Sequence, residues 1–363
     1  MTESTLNQYR PTSVTPPGVA ISDLLEEQGI RQNELATRMG VTPKFINELV
    51  AGKAPVTPPT AIALERALGT PAHFWLAREA QYQEARARDS ESAELRNCIP
   101  WLSKIPHRDM VKYGWIRTCS SKVEIVSECL NFFGVASPTA WHEQYVERTA
   151  ATAYRMSTKV AASEGAVAAW LRAGEREGLK IECATYNKDA FMEAVQWART
   201  LTTVTSPADF LPQLLDRFAK CGVAVVVVRA PTKCPISGAV HWLTPTKALI
   251  QLSFKYLRND NFWFTFFHEC GHIGLHSKKL LFLESSEMDG ADEKEADRFA
   301  ADQLISPGEW ASFSPLTYPE AAIREFAMKV GIAPGIVLGR LQNEGRVPWS
   351  RLNHLKVTYT WSE

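Results

Sequence analysis

The stretch FWFTFFHECGHIGLH, residues 262–276, sets two histidines four positions apart with a glutamate between them, inside an otherwise apolar run. On a helix His268 and His272 share one face, close enough to hold a single ion at roughly 2.0–2.1 Å per nitrogen, and Glu269 can reach a water on that ion. Asn259, Asp260 and Asn261 offer N-caps upstream, so the pattern predicts a helix from there to about His276. Phe264, Phe266, Phe267, Ile273 and Leu275 flank the motif and predict a site withdrawn from bulk water. Three β-type runs, 223–228, 236–242 and 248–253, come just before it, which makes this region α+β with a small sheet.

A zinc centre that keeps one position open for water needs a third protein ligand. His276 falls eight residues after His268, about 12 Å along a continuing helix, and cannot share an ion with it. The spacing also departs from HExxHxxGxxH, in which a glycine turns the chain so that a third histidine can return. The ligand is therefore expected from the next acidic helix, DEKEADRFAADQLIS, residues 292–306, with Pro307 as its stop. Its apolar stripe reads as Ala296, Phe299, Ala300 and Leu304, flanked by Glu295 and Asp297, with Glu293 and Lys294 solvated. Periodicity alone leaves the choice of acid open. Cys270 lies on another helix face and reads as packing, while His241, Tyr256 and His276 are candidates for a second donor to an oxyanion. If 236–242 is a sheet edge near the site, it can pair with an extended substrate strand.

A length of 363 residues points to two or three domains, and 45% hydrophobic against 22% charged residues is the balance of a folded globular chain. Forty basic residues offset forty acidic ones, so any nucleic-acid contact must come from a local surface. The N-terminus has no secretory apolar stretch and no run approaches a membrane span. Seven cysteines without a CxxC pair read as reduced thiols, so a cytoplasmic protein without membrane association is expected.

Behind a tail at 1–17, residues 18–88 read as a compact helical domain with helices at 21–29, 31–39, 43–51, 58–68 and 71–88. Gly29, Gly40 and Gly69 supply stops, and Thr42–Pro43 supplies an N-cap with proline at the first helical position. The second and third helices make a helix-turn-helix in which Gln32 is placed for a phosphate, while Thr42, Pro43, Lys44 and Asn47 occupy the exposed leading end that meets base edges. Residues 1–90 carry nine Lys or Arg and ten Asp or Glu, so dimerisation on a palindromic operator is expected to support affinity. Residues 89–106 read as a linker and 107–220 as a mostly helical connecting region, with helices at 166–178 and 207–220 and a strand at 179–184. Residues 221–363 read as the catalytic core with C-terminal helices. The helix, turn, helix spacing at 322–345 is assigned to packing.

Two resemblances sharpen this reading. HECGH preceded by FWFTFF and followed by EADRFAADQLISP resembles the ImmA/IrrE family of zinc metallopeptidases, and AVAAWLRAGE (166–175), ISGAVHWLTPTKALIQLS (236–253) and 322–349 are similar to a subgroup in which that domain follows a DNA-binding one. The resemblance implies a zincin-like α+β fold, a zinc cofactor, and endopeptidase cleavage of a regulatory protein such as a repressor or antitoxin. It also implies Glu295 as third ligand beside His268 and His272, Glu269 as general base, and Asp297, where the family often has Asn, as a bonding partner of a ligand histidine. Residues 16–76 resemble the HigA-type antitoxin branch of the XRE helix-turn-helix family, which implies DNA binding as a homodimer. The alternative is an antitoxin or autorepressor whose C-terminal domain senses a signal or holds a toxin without cutting.

Overall fold

A computed structural model of the chain describes residues 14–147, 163–253, 258–276, 290–313 and 317–359; most of the expected tail and Tyr256 lie outside them. The chain divides into two compact units, one ending at Asn97 and the other beginning at Cys98.

Among the described residues the first unit is all-helical: α1 (Pro17–Gln28), α2 (Gln32–Met39), α3 (Pro43–Val50), α4 (Pro58–Leu68) and α5 (Ala72–Asn97). Gly29, Gly40 and Gly69 adopt left-handed conformations that end α1, α2 and α4. Thr42 caps α3 by accepting a hydrogen bond from the Phe45 amide, and Pro43 occupies the first helical position. Ile21, Leu35, Ile46, Leu49, Leu64 and Trp75 form the centre of the core, which fixes α3 against the other helices by its apolar face. The expected linker is a correction. Residues 89–97 continue α5 without a break, and Trp101, Leu102 and Ile105 beyond it are buried. Mixed charge here marks a solvated helix laced by pairs such as Arg88–Glu84 at 2.7 Å.

The second unit opens with short helices α6 (His107–Lys112), α7 (Lys122–Phe133) and α8 (Pro138–Trp141). Then come α9 (Glu164–Lys180), α10 (Lys188–Ala198) and α11 (Pro207–Ala219), followed by β1 (Val223–Val227), β2 (Gly238–Thr244) and β3 (Lys247–Leu252). The sheet order is β1-β3-β2, with β3 parallel to β1 and antiparallel to β2. Phe191 and Val195 of α10 and Phe210, Leu214 and Phe218 of α11 pack into the same core as the sheet. Residues 188–219 are thus part of this unit's core, contrary to the expected connecting region. No strand forms at 179–184. Lys180 ends α9, and the Ala184 and Tyr186 amides donate to Ala219 at the end of α11 and to Thr246 in the turn between β2 and β3, so no ladder is built.

After the sheet run α12 (Asn259–Leu275), α13 (Gly290–Leu304), α14 (Pro307–Ser312), α15 (Glu320–Val330) and α16 (Pro334–Asn343). Pro307 stands at the start of α14, where a missing N–H costs nothing, as well as just beyond α13. Helix α12 packs against α10, β2, β3, α13 and α16, which is why it is apolar nearly all round. Its cap residue is Arg258, and the expected N-caps lie inside the first turn. There the C-terminal segment holds them: Asn259 exchanges hydrogen bonds with Val357 at 2.9 and 3.1 Å, and Asp260 pairs with Lys356 at 2.5 Å. Both partners of that ion pair are 7% exposed. Lys356→Met is expected to strand the Asp260 charge and cost about 3–5 kcal/mol, read as a lower urea midpoint for the second unit.

Candidate metal centre and nucleic-acid interface

The centre is built where α12 and α13 pack closely. A Cβ on Gly271 would come 3.2 Å from the Ala296 Cα, so the glycine of HECGH and the buried Ala296 and Ala300 let the two backbones come together. Three side chains then converge. His268 Nε2 and His272 Nε2 are 3.0 Å apart, and the Glu293 carboxylate lies 3.4 Å from the first and 3.7 Å from the second.

Glu293 stands where Glu295 was expected: it is exposed, as the stripe suggested, yet its carboxylate turns toward the two histidines. Glu295 faces His276 instead, 3.5 Å from its Nε2, with Asp292 at 3.7 Å. The reason is helical phase. Glu293 precedes Ala296 by three residues and Ala300 by seven, on the face turned to α12, whereas Glu295 is rotated about 100° from Ala296. Asp297, four residues after Glu293, accepts a hydrogen bond from His268 Nδ1 at 2.9 Å.

The donor set fits a divalent cation. Tetrahedral bonds of about 2.1 Å space ligand atoms about 3.4 Å apart, and the Glu293 separations match that better than an ordinary charge-assisted hydrogen bond. Two imidazoles and a carboxylate suit zinc. Burial opposes charge on His268, but Asp297 and Glu293 outweigh it and lift its pKa to about 10. Burial and then His268 drive His272 down to about 4, leaving it a neutral donor. Burial pushes the Cys270 thiol far up, in keeping with a packing role.

Glu269 is 6% exposed and lies beside the start of β2, where a Cβ on Gly238 would stand 2.4 Å from its carboxylate oxygen. Burial raises its pKa to about 7, against the pull of His268. Strand β2 pairs on one side only among the described strands, so it is a sheet edge, as anticipated for 236–242. His241 on β2 feels the Glu175 charge of α9, and its neighbours Val240 and Trp242 pack toward the α12 core, so it does not serve the centre. A cavity of about 300 Å³ lies one helical turn before His268, lined by Ser237, Phe264, Thr265, Leu304, Ile336 and Trp349.

In the first unit Thr42, Pro43, Lys44 and Asn47 are exposed along the leading end of α3, and Ile46 and Leu49 are buried beneath them. Gln32, half-buried, begins α2, with exposed Arg31 just before it.

Known proteins match this first unit. The helix-turn-helix family matches residues 21–75. The uncharacterized HTH-type transcriptional regulator YddM of Escherichia coli (strain K12) is 32% identical over 84 residues, which is 23% of this chain and 89% of the relative. A solved structure from Nostoc punctiforme, named for an antidote role in a plasmid maintenance system, is 29% identical over 25% of this chain and 96% of its own, with a TM-score of 0.23.

Proposed function

The chain belongs to the helix-turn-helix transcriptional regulators through its first unit, and we propose that its second unit is a zinc-dependent endopeptidase acting on a regulatory protein such as a repressor or antitoxin. One observation carries the peptidase reading: His268, His272 and Glu293 converge on one point beside the buried carboxylate of Glu269. The likeness of residues 262–276 and 295–307 to ImmA/IrrE peptidases supports it.

His268, His272 and Glu293 would hold the ion, with Asp297 fixing the His268 ring through its Nδ1–H. When bound, zinc supplies a water of lowered pKa and polarises the scissile carbonyl. Glu269 takes the proton of the attacking water and returns it to the leaving amine; a carboxylate raised to about 7 suits both halves of that task. The edge of β2 pairs with an extended substrate by backbone hydrogen bonds, which favours peptides over compact folds. A substrate side chain can enter the cavity beside Phe264 and Thr265. The test is cleavage of co-expressed partner proteins with and without chelator, read by mass spectrometry; cutting that survives full metal removal refutes the reading.

For the DNA arm, α3 is the recognition helix of a homodimer on a palindromic operator. Asn47→Ala should relax sequence preference by about 1–3 kcal/mol at one base position, whereas Lys44→Ala should weaken binding across all sequences and flatten its salt dependence. Gel-shift titrations over a salt series measure both. Unchanged binding in both variants would remove α3 from the groove.

A further inference from the structure

Asp297 steadies His268, but the other histidine of the pair has a different neighbour. Helix α12 ends at His276, whose backbone leaves the helical conformation, and the His276 ring folds back so that its Nδ1 lies 3.1 Å from His272 Nδ1. Its side chain is 4% exposed, and its Nε2 is buried without a hydrogen bond, facing Glu295 and Asp292.

We propose that His276, backed by Asp292 and Glu295, is a positioning residue that fixes the tautomer and ring orientation of His272, an inference that rests on the zinc reading above. Proton counting makes the assignment. A contact between two ring nitrogens holds one proton. If His272 Nε2 gives its lone pair to the ion, His272 Nδ1 carries the proton and donates it to His276 Nδ1. His276 then carries its own proton on Nε2, the atom that faces the two carboxylates. Each nitrogen in the chain has one role, and the acids stabilise the dipole that this arrangement creates.

The His276, Asp292 and Glu295 atoms also lie close enough to share a cation themselves. The same count argues against it. A cation on His276 Nε2 would require the proton to sit on His276 Nδ1 and to be donated to His272 Nδ1. Neutral His272 would then be protonated at Nε2, the atom that faces His268 and Glu293. The two clusters compete for one proton, and the arrangement that frees His272 Nε2 uses the second cluster as its support.

The experiment is zinc affinity of the full-length chain by chelator competition, with the visible spectrum of the cobalt(II) form as a second readout. His276→Asn keeps an acceptor oxygen close to the position of Nδ1, whereas His276→Leu removes it at similar bulk. The expected result is one metal per chain, a loss of about 10–100-fold for the leucine variant with an altered cobalt spectrum, and recovery to within about threefold by asparagine. Equal losses in both variants would reduce His276 to packing, and no loss in either would remove its role; each overturns the proposal while the zinc reading stands. Two metals per chain, one of them lost on Asp292→Asn, would overturn it in favour of a second cation site. Wild-type protein that binds no zinc defeats the underlying reading itself.

Discussion

Glu269→Gln is expected to abolish peptide cleavage, with turnover falling about 10²–10⁴-fold, while zinc content and operator binding stay at wild-type levels. The amide is close in size to the carboxylate, so the packing around Gly238 and Thr265 persists. Only the capacity to accept and return a proton is lost. The variant should also retain substrate, so its pull-down would identify the cleaved protein. Wild-type turnover in this variant would remove Glu269 from the chemistry and leave the buried carboxylate without a role.

Glu293→Ala carries the second large effect. Replacing it should weaken zinc binding by more than about 100-fold, since loss of an outer hydrogen-bonding partner alone costs about 10–100-fold and Glu293 is proposed to touch the ion. Glu295→Ala should lose less than about tenfold, because Asp292 still faces His276. Chelator competition on the two variants side by side decides between the acids. A larger loss for Glu295→Ala would restore the assignment implied by family resemblance and reject the geometric one.

That contrast shows how far the sequence could be read. The HECGH helix was legible because its apolar residues surround the motif without a polar face, the mark of a helix buried on all sides. The helix-turn-helix was legible because glycine stops and the Thr42–Pro43 start are local signals. The acid that faces His268 and His272 was legible in principle. Carrying the Ala296–Ala300 stripe back one turn reaches Glu293, and Gly271 opposite Ala296 hints at close helix packing. What residue spacing could not reveal was the long-range support: Val357 and Lys356 holding the start of α12 lie about 97 residues from their partners, and no local pattern announces them. The strand expected at 179–184 misled for a related reason. Its first two residues close α9, and the extended residues that follow send their hydrogen bonds to separate partners, a matter of tertiary context that β-propensity does not encode.

The core of the first unit is drawn from Ile21 to Trp75, whereas the central strand β3 and the acids of α13 come far later in the chain. Translation at roughly 5–20 residues per second would deliver Glu293 some 10–40 s after Trp75 has been made. A nascent chain would therefore present a finished helix-turn-helix unit well before His268, His272 and Glu293 can meet. A message broken in that interval would yield the first unit alone.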